Sequence, residues 1–149
     1  CTLREDLLKE VQKLALEDRF DYLLIESTGI SEPIPVAQTF TYIDENLGVD
    51  LSSISRLDTL VTVVDALNFA ADYSTLDTVK TRKLTDDEVD ERTIVNLLTD
   101  QIEFANVIII NKADLVSKHD LGELKAIIHS LNPEAQILES SFGKVPLNK

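Results

Sequence analysis

The sequence predicts an α/β fold, in which a parallel sheet of buried strands is covered by helices on both faces. Two observations support this prediction. Short apolar runs at residues 60–64 and 107–110 lack the regular polar alternation of a half-exposed strand, and such runs are typical of parallel strands buried on both faces. Longer segments between the runs repeat apolar residues at helical spacing, which is the alternation expected of βαβ units.

The first part of the chain predicts a helix, a strand and a second helix. Thr2 and Glu5 form a capping box at the start of the first helix. Its apolar face consists of Leu3, Leu7, Leu8, Val11, Leu14 and Ala15. Residues 22–26 are an apolar run that ends in an acidic residue, and we predict the first strand there. The second helix is predicted from about Pro35 to Phe40, because proline is favoured in the first turn of a helix.

The central segment predicts a strand, an irregular stretch and a helix. Residues 60–64 are predicted as the second strand. Residues 66–84 show no clean period, so we predict irregular or partly helical structure there. Thr85 and Glu88 form a second capping box. The apolar stripe of the helix that follows consists of Ile94, Val95, Leu98, Ile102 and Ala105.

The last third of the chain predicts strand, helix and strand. Residues 107–110 are the third predicted strand. A helix is predicted from about Asp120 and ends before Asn132, because Pro133 cannot continue it. Its apolar face consists of Leu121, Leu124, Ile127, Ile128 and Leu131. Residues 136–138 are predicted as a short fourth strand.

An N-K-x-D motif directly follows the third predicted strand, at the edge where open α/β sheets bind ligands. The ionised Asp114 carboxylate offers two acceptor oxygens, which match the two adjacent N–H donors of guanine and have no counterpart on adenine. Asn111 can donate to the base and accept from a neighbouring loop. The Lys112 stem can lie over the flat purine face. The alternative is an ordinary turn capped by Asn and Asp.

A second polar turn follows the first predicted strand. The Glu26 carboxylate can hold Mg²⁺ through water, because Mg²⁺ gives up its hydration shell reluctantly, or it can orient an attacking water. Gly29 lets the backbone approach a phosphate closely, since no Cβ intervenes. The alternative is a plain strand, turn and helix. The presence of both motifs in this order favours a nucleotide site.

Composition narrows the class of protein. The 149 residues predict one domain with a sizeable core. The net charge of −13 argues against a nucleic-acid partner, whose phosphates would be repelled. No apolar run approaches the length of a membrane span, so we predict no membrane insertion. The lone Cys1 excludes an intrachain disulfide and fits a reducing compartment, from which we predict a cytoplasmic location.

A phosphate-binding loop of the form G-x-x-x-x-G-K-[ST] does not occur in these 149 residues. The four glycines do not fit its spacing, and the chain contains no Met. We therefore expect the chain to be a fragment of a GTPase domain whose upstream part, carrying the phosphate loop, has been removed.

Four segments together carry a resemblance to a known family. They are C-T-L-R-E-D-L at residues 1–7, E-S-T-G-I-S-E-P at residues 26–33, V-V-D-A at residues 63–66 and N-K-A-D at residues 111–114. In this order they resemble the middle and end of the GTPase domain of CobW-type metal-handling proteins. The resemblance covers nearly the whole chain. It implies a three-layer P-loop-NTPase-like sheet that lacks its first strand, its phosphate loop and the C-terminal domain.

The resemblance also implies functional roles. GTP or GDP with Mg²⁺ would be bound, Glu26 would serve the Mg²⁺ or the attacking water, and Gly29 would sense the γ-phosphate. Ser140 and Ser141 follow the last strand, where GTPases often offer a backbone N–H to the guanine oxygen, although a plain Ser/Gly turn is the alternative. Cys1 matches the last cysteine of a C-x-C-C metal-binding stretch, which handles Zn²⁺ or Co²⁺.

Two expectations concern the chain as a whole. The intact protein is expected to be a GTP-hydrolysing metal chaperone or cobalamin-synthesis-type protein that serves a metal-requiring client, with the isolated chain inactive. The alternative is a non-catalytic, GTPase-like module that binds a partner protein or a metal. The resemblance implies that the missing first strand would lie between residues 22–26 and 60–64. Its removal would leave unpaired edges, so we expect the isolated chain to be aggregation-prone, oligomeric or rearranged unless something fills that gap.

Overall fold

The computed structural model of the chain describes residues 2–17, 19–27, 29, 32–40, 43–44, 49–75, 77–78, 81–82 and 92–146. They belong to two compact units, residues 1–58 and 59–149. The predicted α/β class with a parallel sheet is confirmed. Within the described ranges, no helix combines the length and apolar character needed to cross a membrane.

The first unit packs two helices around a small apolar core. Its elements are helix α1 (Thr2–Leu16), helix α2 (Pro33–Thr39), the antiparallel strands β1 (Ile43–Asp44) and β2 (Val49–Asp50), and a 3₁₀ turn (Leu51–Ser53). Helix α2 begins at Pro33, two residues before the predicted start, because proline suits the first turn. The buried core consists of Leu8, Val11, Phe40 and Leu51.

The predicted strand at residues 22–26 is wrong. Residues 22–27 form no regular element in the structure. Tyr22 is 84% exposed and Leu24 is 93% exposed. A strand is stabilised by hydrogen bonds to a neighbouring strand, and among the residues that the structure describes none pairs with this segment. The apolar pattern therefore identified a segment with strand propensity, for which the described part of the chain provides no pairing strand.

The second unit is a three-stranded parallel sheet with helices. Its elements are β3 (Val61–Asp65), α3 (Phe69–Tyr73), α4 (Ile94–Glu103), β4 (Val107–Asn111), a 3₁₀ turn (Ala113–Leu115), α5 (Lys118–Leu131) and β5 (Gln136–Glu139). The strands lie in the order β3-β4-β5. These elements agree with the predictions for residues 60–138 to within one or two residues at most boundaries, and α3 is the helical part of the stretch predicted as irregular.

The described part of α4 begins at Ile94. Thr85 and Glu88, the second capping box, lie outside the described residues. Helix α4 begins after Thr93, whose side-chain oxygen accepts a hydrogen bond from the Asn96 N–H at 3.1 Å. A threonine in this position satisfies one of the free N–H groups of the first turn.

The core of the second unit lies on one face of its sheet. Ile108 and Ile110 of β4 are fully buried there, against Ile102 of α4 and Ile128 of α5. On the other face of β3, Val61 and Val63 are exposed. The described helices of this unit therefore stabilise the sheet from one side.

Asn132 is the buried polar residue that joins α4 to the turn before β5. It is 7% exposed. Its Nδ2 donates to the carbonyl oxygens of Ile102, Glu103 and Ala105 at 2.8–3.1 Å. Its Oδ1 accepts from the N–H groups of the turn that follows. Five hydrogen bonds thus satisfy the end of α4 and the start of the turn.

We expect Asn132→Ala to lower the free energy of unfolding by about 2 kcal/mol, because it leaves buried carbonyl and N–H groups without partners. Urea unfolding followed by circular dichroism measures the change. Asn96→Ala is the matched control, since the Asn96 side chain is exposed on α4, and it should leave stability nearly unchanged. Equal effects of the two substitutions would contradict the assignment of Asn132.

Candidate functional site

Three loops meet at the carboxyl edge of the parallel sheet in the second unit. The register places Asp65 beside Asn111 and Ile110 beside Glu139. The loops after β4 and β5 are also joined directly. The Ser140 N–H donates to the Ile110 carbonyl at 2.8 Å, and the Ala113 N–H donates to the Ser140 carbonyl at 3.1 Å. The structure thereby brings together the predicted base-binding residues, which are Asn111, Lys112, Asp114, Ser140 and Ser141.

Asn111 ties the neighbouring loops together. Its Oδ1 accepts a hydrogen bond from the Gly143 N–H at 3.0 Å. Its main-chain carbonyl accepts from the Ala66 N–H at 3.0 Å. The Asn111 side chain therefore fixes the loop after β5 through its oxygen, which agrees with the expectation from the sequence. Its amide N–H₂ is the group suited to a hydrogen-bond acceptor on the base.

Lys112 is held by a carboxylate from the neighbouring strand. Its backbone adopts a left-handed conformation, with φ of 61° and ψ of 30°, which is uncommon for a residue with a side chain. Its Nζ lies 2.6 Å from Oδ2 of Asp65. The pair fixes both ends of the Lys112 side chain and so orients its apolar stem.

Asp65 organises the turn after β3 as well as Lys112. Its Oδ1 accepts from the N–H groups of Leu67 and Asn68, at 3.0 and 3.4 Å, and its Oδ2 accepts from Asn68 Nδ2 at 2.8 Å. Partial burial raises the pKa of Asp65, but the hydrogen bonds from Lys112 and these donors outweigh it. The pKa therefore lies below its ordinary value of 3.8.

Asp114 lines an open cleft at the same edge. It lies in the 3₁₀ turn after β4 and is exposed. The cleft has a volume of about 470 Å³, and its other lining residues are Ala113, Glu139, Ser140, Ser141 and Lys144. An exposed carboxylate on the wall of a cleft can accept two hydrogen bonds from a ligand. The cleft is thus chemically suited to a base with adjacent N–H donors.

Ser140 and Ser141 have different surroundings. Ser140 is buried, and its hydroxyl donates to the Lys144 carbonyl at 3.2 Å. Because its N–H is already bonded to Ile110, Ser140 holds the loop in place. Ser141 is half-buried on the cleft. It carries the next backbone N–H along the chain, which makes Ser141 the better candidate for the contact to a guanine oxygen.

A tight turn with unusual backbone angles closes this loop. The Lys144 N–H donates to the Ser141 carbonyl at 3.2 Å. The two residues between them, Phe142 and Gly143, have φ of 57° and 69°. Positive φ at both central positions is the geometry of a type I′ turn, which favours Asn-Gly or Gly-Gly. The Gly143 N–H is the group bonded to Asn111, so this turn is connected to the N-K-x-D loop.

The remaining predicted site residues belong to the first unit. Glu26 is exposed. Gly29 is also exposed, and a Cβ built there would meet nothing within 4 Å. Steric contact with the described residues therefore does not require a glycine at position 29. Cys1 lies outside the described residues, and its predicted role as a metal ligand stays a prediction.

The Asp65–Lys112 pair was not predicted from the sequence. Asp65 caps the turn after β3 by accepting hydrogen bonds from Leu67 and Asn68, and it also connects that turn to the N-K-x-D motif. The sequence feature that could have revealed the pair is that Asp65 and Asn111 each lie at the end of an apolar strand. Neighbouring parallel strands that end together place such side chains at one edge.

We expect Asp65→Asn to lower the free energy of unfolding at pH 7. Because the folded-state pKa of Asp65 is depressed, its charged form stabilises the fold above the unfolded-state pKa. That contribution is lost as the pH falls below about 3.8 and through the folded-state value. Urea unfolding at pH 7 and at pH 2.5 should show a smaller difference between variant and parent at the acid pH.

A double-mutant cycle checks that Lys112 is the partner. Lys112→Gln removes the other member of the pair, so the two substitutions together should cost less stability than the sum of each alone. Strictly additive effects at pH 7 would show that the two side chains do not interact in solution.

Comparison with known proteins places the chain in a family. Residues 1–139 match the family described as CobW/HypB/UreG, nucleotide-binding domain. The chain is 48% identical over 149 residues to zinc-regulated GTPase metalloprotein activator 1 of Dictyostelium discoideum. It is 33% identical over 156 residues to zinc chaperone CobW of Sinorhizobium sp. No solved structure matches the chain.

Each match covers nearly all of this chain but less than half of the relative. The match spans 100% of this chain and 31% of the Dictyostelium protein, and 97% of this chain and 41% of the Sinorhizobium protein. The similarity therefore concerns one part of these longer relatives. Since the family match extends over most of the sequence, the chain belongs to the CobW/HypB/UreG nucleotide-binding domain family.

Proposed function

We propose that this chain supplies the guanine-recognising part of a GTPase that delivers a metal ion to a client protein. The observation that carries the proposal is the arrangement around Asp114. Its carboxylate lines an open cleft, and the flanking Asn111 and Lys112 are each held by a second loop. Because Asn111 and Lys112 are already held in place, they lose little conformational freedom when the ligand binds.

Base recognition would follow from donor and acceptor chemistry. The Asp114 carboxylate accepts from the two adjacent N–H groups of guanine, and the Asn111 amide and Ser141 N–H donate to acceptors on the base. The Lys112 stem, drawn toward Asp65, offers apolar contact to the purine face. Adenine carries no matching pair of donors for Asp114, so the site would select guanine over adenine.

We assign the phosphate end of the nucleotide to Glu26 and Gly29. The residues present fit Mg²⁺, because Glu26 and Ser27 offer exposed oxygen ligands. Bound Mg²⁺ would neutralise charge on the phosphate oxygens. Glu26 would hold this ion through water or orient the attacking water, and Gly29 would admit the γ-phosphate close to the backbone. We assign the phosphate loop itself to a segment outside residues 1–149.

The metal ion carried as cargo would be Zn²⁺, with Co²⁺ as the alternative. The names of the Dictyostelium and Sinorhizobium relatives, which refer to zinc regulation and a zinc chaperone, support Zn²⁺. Cys1 would contribute one thiolate, and a tetrahedral site needs further ligands from outside these residues. We place the protein in the cytoplasm, where such a thiolate stays reduced.

The second candidate is a GTPase-like binding module without turnover. The observation that favours it is the absence of G-x-x-x-x-G-K-[ST] from residues 1–149. In this case the chain alone would hold a nucleotide base or a partner protein, and it would not hydrolyse GTP. We regard the isolated chain as inactive under either candidate.

We expect Asp114→Asn to change the preferred base from guanine to xanthine, because an amide offers a donor to the xanthine oxygen. Calorimetric titration with GDP and XDP measures the change, which should exceed about tenfold in the affinity ratio. Glu139→Gln is the matched control, since Glu139 lines the same cleft and its loss should leave base preference unaltered. An Asp114→Asn variant with the parent's preference would refute the guanine site.

We expect Glu26→Gln to lower GTP turnover by about a hundredfold, because it removes the charge that holds Mg²⁺ or orients water. The assay uses the protein that carries this chain together with its phosphate-binding segment. Asp21→Asn is the control, because Asp21 is an exposed carboxylate of the same segment. Turnover unaffected by Glu26→Gln would exclude Glu26 from catalysis.

A further inference from the structure

Phe142 combines two features that are unfavourable in the chain on its own. Its side chain is 86% exposed, so the ring gains no stabilisation from burial. Its φ of 57° lies in the left-handed region, which is an outlier for a bulky residue. Asparagine or glycine would suit the first central position of this turn better. Folding alone therefore gives no reason for an aromatic residue here.

Unfavourable backbone conformations of this kind persist mainly at ligand-binding sites. The position of Phe142 agrees with such a role. It lies between Ser141 and Lys144, and both of these residues line the cleft that contains Asp114. The turn is also fixed relative to the N-K-x-D loop, because the adjacent Gly143 N–H donates to Asn111 Oδ1. Phe142 does not itself line the cleft, but it stands on an anchored turn between two residues that do.

We propose that Phe142 is a stacking residue for the purine base that Asp114 recognises. The inference rests on the proposed function, since it requires a base in this cleft. An aromatic ring stacks on the face of any purine and contributes affinity without reading its edge. Asp114 would thus determine which purine is bound, and Phe142 would contribute affinity for either one.

The turn that carries Phe142 is held by a contact to the N-K-x-D loop. The anchor through Gly143 keeps the turn in place before the ligand arrives. Part of the ordering needed for stacking is therefore present in the unliganded chain, which favours tight binding.

The substitution Phe142→Asn removes the ring but keeps the turn. Asn-Gly is a favoured pair in a type I′ turn, so this variant keeps the loop and its Asn111 contact and should melt at the parent temperature or above it. Its affinity for GDP should fall by about 5- to 150-fold, the range that corresponds to loss of one base-aromatic stack. Phe142→Tyr retains a ring and should bind nearly as the parent does.

The control for a general loss of exposed aromatic surface is Phe104→Ala. Phe104 is 44% exposed and caps the end of α4, before β4 begins and so at the opposite edge of the sheet. Its substitution should leave GDP affinity unchanged. Titrations use the protein that carries this chain, with GDP for the parent and XDP for Asp114→Asn. The fold loss caused by Phe142→Asn should be the same in both backgrounds.

The outcomes distinguish this inference from the proposed function. If Asp114→Asn changes base preference but Phe142→Asn binds GDP within twofold of the parent, the stacking role alone is overturned. Unchanged GDP affinity together with lost binding of a client protein would assign the ring to a protein contact, which also overturns it. If Asp114→Asn leaves base preference unaltered, the guanine site fails and the stacking role fails with it.

Discussion

The register of the three parallel strands in the second unit determines which side chains can form the site. β3, β4 and β5 end at a common edge, with Asp65 beside Asn111 and Ile110 beside Glu139. A shift of one residue in a strand would turn each of its side chains to the opposite face. The buried isoleucines of β4 resist such a shift, because it would expose Ile108 and Ile110. Core packing thereby maintains the geometry of the cleft.

The site itself is maintained by links between loops. Gly143 is bonded to Asn111, Lys112 to Asp65, and Ala113 to Ser140. Each link joins residues that are distant in sequence, so each constrains one loop by another loop of the same edge. Asn132 performs a similar task at the opposite edge, where it closes the end of α4. Links of this kind fix the relative positions of the backbone segments that they join.

The helices and strands that depend on the local pattern of apolar residues could be predicted from the sequence. β4 and α5 follow directly from an apolar run and an apolar stripe, and the N-K-x-D residues could be placed because they follow β4. The strand predicted at residues 22–26 failed because a strand depends on a neighbour that local pattern does not reveal. The Asp65–Lys112 contact joins residues 47 positions apart, and only the register brings them together. The positive φ of Phe142 was likewise not predictable, since phenylalanine ordinarily avoids it.

The ion pair between Lys112 and Asp65 has a consequence for the speed of the nucleotide capture that we propose. The ammonium group of Lys112 is already neutralised by a carboxylate at 2.6 Å, so it adds little attraction for a polyphosphate in solution. The chain as a whole carries a net charge of −13, and a nucleotide carries the same sign. Long-range electrostatics in residues 1–149 therefore slows the encounter. Added salt, which screens charges beyond roughly 10 Å, would quicken association with this part of the protein.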